Sequence, residues 1–151
     1  MLYSKTCEYA IRSLACLAAE GKGAVKGAAE ISERTGVPGP YVSKIFQSLV
    51  KAGILISRRG AGGGVAFRKD PKVLTLMNIV EAIDDLESFT ECAMGLDRCE
   101  DGNGCPVHEI WKKTKEEIIL KLKKTKLVEL SENPKKLKYR ELNRARLRAS
   151  S

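Results

Sequence analysis

Only one histidine, His108, occurs in the 151 residues. No Ser–His–Asp set and no catalytic pair of carboxylates stands out around it, so the sequence argues against nucleophilic or general acid–base catalysis and against an enzyme. Long apolar runs are also missing, since none approaches the roughly 18–20 residues needed to cross a bilayer. The opening segment, Met1 to Glu8, lacks the basic, apolar and small-residue regions of a signal peptide. These absences lead us to expect a cytoplasmic chain without a membrane partner. Internal repeats are absent too, and the length suits one compact unit with one projecting element.

What is present is unevenly placed charge. Lys and Arg outnumber Asp and Glu by 11 to 5 over residues 1–70 and by 14 to 5 over residues 111–151, whereas residues 71–110 carry 2 basic against 9 acidic residues. A basic head, an acidic middle and a basic end suit a polyanion touched by some surfaces and not others, although the same balance would also serve solubility alone. Five cysteines are an odd number where stable disulfides are rare. Cys7 and Cys16 stand apart, whereas Cys92, Cys99 and Cys105 cluster in a short polar stretch.

Apolar spacing places the elements. Cys7, Ala10, Ile11, Leu14, Leu17 and Ala18 recur at three- and four-residue intervals and predict a first helix closed by Gly21-Lys22-Gly23. On it Cys7 and Cys16 read as small core residues. A second helix is predicted over Ala28 to Arg34, with Ala28, Ala29 and Ile31 inward, and a third over Pro40 to Ala52, with Val42, Ile45, Phe46, Leu49 and Val50 inward. Thr35 to Gly39 breaks the pattern between them, and Gly53 ends the third. Two short apolar strands, Ile54–Ser57 and Val65–Phe67, flank the run from Arg58 to Gly64 and make a hairpin. A fourth helix is expected over Thr75 to Leu86, irregular chain over Ser88 to Pro106, and a long helix from Val107 to Leu130 with a stripe of Val107, Trp111, Thr114, Ile118 and Leu122.

Two short helices joined by a glycine-containing turn, the second followed by a basic hairpin, form a winged helix-turn-helix. Tyr41, Ser43, Lys44 and Gln47 occupy the exposed N-terminal half of the expected recognition helix, where side chains meet base edges and phosphates. Arg58, Arg59 and Gly60 lie at the wing, where an arginine can enter a minor groove. A helical bundle with a flexible turn is the plainer alternative. A phosphate-cradling nucleotide loop is disfavoured, because no Gly-Lys-Ser/Thr follows and the glycines precede a strand.

The spacing Cys92-x6-Cys99-x5-Cys105-x2-His108 puts three thiols and an imidazole within 17 residues, among Gly95, Gly102 and Gly104. Soft sulfur donors select zinc, copper(I) or an iron–sulfur centre, and spacing alone leaves zinc and iron–sulfur open. Three unrelated free thiols would be exposed here and prone to oxidation.

Together these segments resemble the family of winged-helix iron–sulfur transcription regulators that includes IscR and NsrR. The resemblance runs from about Leu2 to Leu130. It rests on Tyr9-Ala10-Ile11-Arg12, on Ile31 to Val37 with Tyr41 after it, and on Gly53-Ile54-Leu55. Arg58 to Gly64, Ile79-Val80-Glu81-Ala82-Ile83 and the three cysteines followed by His108 complete it. It implies a homodimer on a double-stranded DNA operator, pairing through the long helix. It also implies an iron–sulfur cluster, 2Fe–2S or 4Fe–4S, held by Cys92, Cys99 and Cys105 and altering operator binding. The fourth ligand it implies is His108 or, from the second subunit, Glu8. The expected organisation is a mostly α chain with a small β-hairpin wing. Its parts are a winged helix-turn-helix over 1–70, a connecting helix and cysteine-rich loop over 71–106, a dimerisation helix over 107–131 and a basic tail over 132–151.

Overall fold

The computed structural model describes residues 2–95, 102 and 104–132. Helix α1 (Lys5–Ala19) starts where the Ser4 hydroxyl accepts the Cys7 N–H at 3.0 Å, and Ser4 in turn donates its backbone N–H to Asp84 at 2.6 Å. That second bond ties the start of α1 to the end of a later helix. Cys7, Ala10, Leu14 and Leu17 are fully buried along one stripe of α1, so the spacing of apolar residues has selected the face that packs.

Helix α2 (Ala28–Thr35) begins with the Glu30 carboxylate accepting the Gly27 N–H at 3.1 Å. It ends at Gly36, whose φ of 71° is costly for any residue with a Cβ. Within the turn the Thr35 hydroxyl donates to the Ile31 carbonyl at 2.6 Å and accepts from the Val37 N–H at 3.3 Å. Helix α3 (Gly39–Lys51) follows with Pro40 in its first turn, where a missing N–H is harmless. Val42, Ile45, Phe46 and Leu49 are buried, and Val50 is half-buried.

Strands β1 (Leu55–Arg58) and β2 (Gly64–Phe67) pair antiparallel, from Leu55 opposite Phe67 to Arg58 opposite Gly64. Lys26 adds an isolated bridge to the outer side of β2, exchanging two backbone bonds with Val65 at 3.0 and 2.9 Å. A 3-10 turn (Pro71–Val73) leads to α4 (Leu76–Ile83), capped by reciprocal bonds between Thr75 and Asn78. A second 3-10 turn spans Leu86–Thr90, and α5 (His108–Lys124) and α6 (Leu127–Ser131) close the described chain.

Two apolar clusters hold these elements. The larger gathers Leu14, Leu17, Ile31, Ile45, Leu49, Leu55 and Leu127 from the helix-turn-helix, the wing and α6. The smaller joins Cys7, Met77, Val80, Phe89 and Leu122, linking α1 and α4 to α5. Each fully buried Leu or Ile contributes about 1.5–3 kcal/mol of transfer free energy. The mostly helical architecture with a two-stranded wing agrees with the sequence reading, as does the burial of Cys7 and Cys16.

Three expectations are corrected. The fourth helix stops at Ile83, because Asp84 turns extended and faces Ser4, and Leu86–Thr90 forms the separate 3-10 turn. Ala29 points to solvent, since the inner face of α2 is set by Ile31 and Thr35. The helix expected over 107–131 breaks at Thr125–Lys126. There the Leu76 N–H donates to the Thr125 carbonyl and the Leu127 N–H to the Leu74 carbonyl, both at 3.0 Å, and α6 folds back onto α1. The stripe expected along the long helix is half-buried at Val107, Trp111, Thr114 and Ile118 and buried at Leu122, and His108 and Lys115 are buried beside it.

Candidate functional site

The buried stripe of α3 leaves Tyr41, Ser43, Lys44 and Gln47 on its solvent side. All four predicted recognition residues are thus exposed together on one helix. The Tyr41 side chain, 53% exposed, is braced from beneath by Tyr9 of α1, with ring centroids 5.9 Å apart and an edge-to-face angle of 68°. In the sequence Tyr9 enters only through the family resemblance. No periodic signal reveals that it meets Tyr41.

At the wing, Arg58, Arg59 and Gly60 are exposed. The glycines there are geometric requirements. Gly60 has a φ of 95°, and a Cβ on Gly63 would stand 2.5 Å from the Arg58 carbonyl oxygen. A Cβ on Gly64 would overlap the Lys26 carbonyl, the group that fastens β2 to the entry of α2. The wing is therefore tight at its tip and anchored to Lys26 just behind that tip, at the second residue of β2.

Charge pairing divides the cations in two. Glu20 pairs with Lys26 at 3.8 Å and with Arg34, while Lys26 also reaches Glu30 at 3.3 Å. Those ions link the end of α1 to α2 and to Lys26, the residue bridged to β2. The Gly27 N–H, then Lys26, hold the Glu30 carboxyl below its ordinary range. Among the described residues, by contrast, Lys44, Arg58 and Arg59 form no ion pair, which leaves their charge available to a phosphate backbone.

Cys92 and Cys105 are half-buried, and Cys99 lies outside the described residues. The Met94 N–H donates to the Cys92 sulfur at 3.4 Å, and the Gly95 N–H to the Cys92 carbonyl at 3.1 Å. His108, only 8% exposed, opens α5, and its backbone N–H donates to the Cys105 carbonyl at 3.1 Å. Gly95, Gly102 and Gly104 take φ values of 68°, 95° and 63° that fold the chain sharply. Among the described residues no three His, Cys, Asp or Glu side chains converge into a metal-holding group.

One residue that sequence reasoning passed over joins this segment to α5. The Glu91 carbonyl accepts the Trp111 indole N–H at 3.1 Å and the Lys115 ammonium at 3.4 Å. Lys115 is 7% exposed and lies over the Trp111 ring at 5.7 Å. Glu91, the residue before Cys92, is thus held by α5. Next to it, Ala93, Met94, Val107, Ile110, Trp111 and Thr114 line an apolar cleft of about 280 Å³, with Met94 61% and Ile110 69% exposed. Glu8, expected from the resemblance as an alternative ligand, sits on α1 with its carboxylate at 2.7 Å from Lys5 and 3.0 Å from Arg12.

Comparison with known proteins places these features. Residues 3–133 match the model of the Rrf2 family, described as iron-dependent transcriptional regulators. The chain is 32% identical over 125 residues to the HTH-type transcriptional regulator IscR of Yersinia pseudotuberculosis, covering 83% of this chain and 76% of that one. A putative HTH-type regulator of Aquifex aeolicus is 32% identical over 120 residues, covering 78% and 83%. Among solved structures, the cysteine regulator CymR of B. subtilis superposes with a TM-score of 0.70 at 21% identity, over 87% of this chain and 97% of that one. T. potens IscR gives 0.66 at 22% identity, over 88% of each. At these identities the structural likeness speaks for the fold.

Proposed function

The chain belongs to the Rrf2 family of transcriptional regulators, as a winged-helix DNA-binding protein and not an enzyme, and from that premise we propose that it is a homodimer whose operator binding follows an iron–sulfur cluster. Cys92, Cys99 and Cys105 hold the cluster in this reading. The donor chemistry fits: thiolates are soft ligands, and the N–H bond to the Cys92 sulfur is of the kind that tunes such centres. When bound, the cluster supplies a redox- and oxygen-responsive centre.

The observation that carries the proposal is the shared Glu91 carbonyl. The residue before Cys92 is bonded to both Trp111 and Lys115, so the position of the cysteine segment is transmitted to α5. Helix α5 also exposes Ile110 at 69% and Leu120 at 53%, apolar surface that a second subunit would cover. A change in the cysteine segment would then alter how two α5 helices meet, and with it the spacing of two recognition helices. Both half-sites are read only when that spacing is near one turn of DNA, about 34 Å, or a multiple of it.

Of the two fourth-ligand candidates, His108 is favoured. It adjoins Cys105 through a backbone bond, whereas Glu8 is occupied by its own Lys5 and Arg12. Anaerobic purification with absorbance spectra and iron and sulfide assays tests the cofactor. Binding of loaded and cluster-free protein to the promoter of the protein's own gene, at a stated salt concentration, tests the coupling. A colourless protein with one zinc per chain would replace the cluster with a structural zinc, and a zinc-stabilised or cluster-free winged-helix regulator controlled by a partner protein would become the better reading.

A further inference from the structure

We propose that the DNA-contact surface extends onto α1, with Lys5 as a phosphate contact and Tyr9 as the residue that positions Tyr41. The inference starts from an exposed aromatic. Tyr41 lies in the first turns of α3 and is 53% exposed, so without a neighbour its ring would sample several rotamers, and binding DNA would have to freeze one. Tyr9 removes that freedom from below: its ring meets Tyr41 edge to face at 5.9 Å. Tyr9 is itself half-buried against the larger core cluster, and so is a fixed support.

One helical turn before Tyr9, the Lys5 ammonium lies 5.6 Å from the Tyr9 ring centroid and is 54% exposed. Lys5, Tyr9 and Tyr41 therefore form one continuous strip, from the N-terminal end of α1 onto the recognition helix. The Glu8 carboxylate bridges Lys5 at 2.7 Å and Arg12 at 3.0 Å. It fixes the direction of the Lys5 side chain, and the three residues together keep one net positive charge. A preset ammonium beside a preset aromatic matches the edge of a DNA duplex: the ammonium takes a phosphate oxygen, and the ring packs on a sugar or base edge.

The two roles make different predictions, read on the duplex that the wild-type protein selects from a random-sequence pool and on a scrambled duplex of equal length. Lys5→Gln should flatten the slope of log affinity against log salt by about 0.9, weakening both duplexes alike. Tyr9→Leu should leave that slope unchanged and reduce the preference for the selected duplex about three- to ten-fold, the range expected for an aromatic pair. Tyr9→Phe, which keeps the ring, should retain the preference within about two-fold. In the Tyr9→Leu background, Tyr41→Leu should cost far less than it does alone. Should Tyr9→Leu fail to fold, Tyr9→Met fills the same space with a flexible apolar chain and serves in its place. An unchanged salt slope in Lys5→Gln, or strictly additive losses for Tyr9 and Tyr41, would overturn the assignment.

Discussion

Substituting Leu127 by alanine separates a folded-back α6 from a continuous projecting helix. Leu127 is fully buried in the cluster that also holds Leu14, Leu17 and Leu49. Removing its three outer carbons forfeits their transfer free energy and leaves a cavity among residues of α1 that cannot collapse freely. The expected cost is about 2–5 kcal/mol. With a urea slope of about 2 kcal/mol/M, mid-range for a domain this size, the unfolding midpoint should fall by roughly 1–2.5 M. Leu120→Ala is the control: that residue is 53% exposed on α5, so folding should change by only about 0.5 kcal/mol. Urea melts followed by circular dichroism at two protein concentrations ten-fold apart make the distinction. The Leu127→Ala deficit should persist at both, whereas any effect of Leu120→Ala should depend on concentration, as a subunit contact does. Equal, small shifts for the two variants would mean that residues 108–131 behave as one helix outside the core, and the fold-back described above would be wrong.

Four further outcomes follow from the geometry. Gly64→Ala should destabilise by about 2–4 kcal/mol, from backbone strain and the loss of the two Lys26–Val65 bonds, seen as faster hydrogen exchange at the Val65 amide and a lower urea midpoint. Arg59→Ala should weaken binding to the selected duplex about ten-fold and reduce discrimination in A·T-rich flanks, measured by fluorescence anisotropy. Because Glu30 is held below its ordinary range in the folded state, its contribution is present above the unfolded carboxylate pKa and is lost as pH falls through the lower, folded value. The gap between wild type and Glu30→Gln in urea midpoint should therefore close on acidification from pH 7 and be gone once the carboxylate is protonated in both states. Burial, with the Asp84 charge adding to it, pushes the Cys7 thiol up to about 12, so Cys7 should resist alkylation at pH 8 in native protein and react only in urea, read by mass spectrometry.

The sequence by itself determined the helix-turn-helix and wing. Apolar residues at three- and four-residue spacing fix which face of α1 and α3 is buried, and once that face is inside, Ser43, Lys44 and Gln47 have nowhere to go but solvent. The glycines from Gly60 to Gly64 announce a turn because only they tolerate its φ values and its close carbonyls. The three cysteines offer soft donors by their chemistry, and the proposed cluster starts from that. Tertiary structure decided what depends on distant partners. Thr125 and Lys126 carry no helix-breaking signal, and the break exists because their backbone pairs with Leu74, Thr75 and Leu76. The brace of Tyr9 under Tyr41, the burial of Lys115 and the hold of α5 on the Glu91 carbonyl likewise join residues far apart in the chain. Local periodicity records which side of a helix is apolar, but not which neighbour that side, or its rim, will meet.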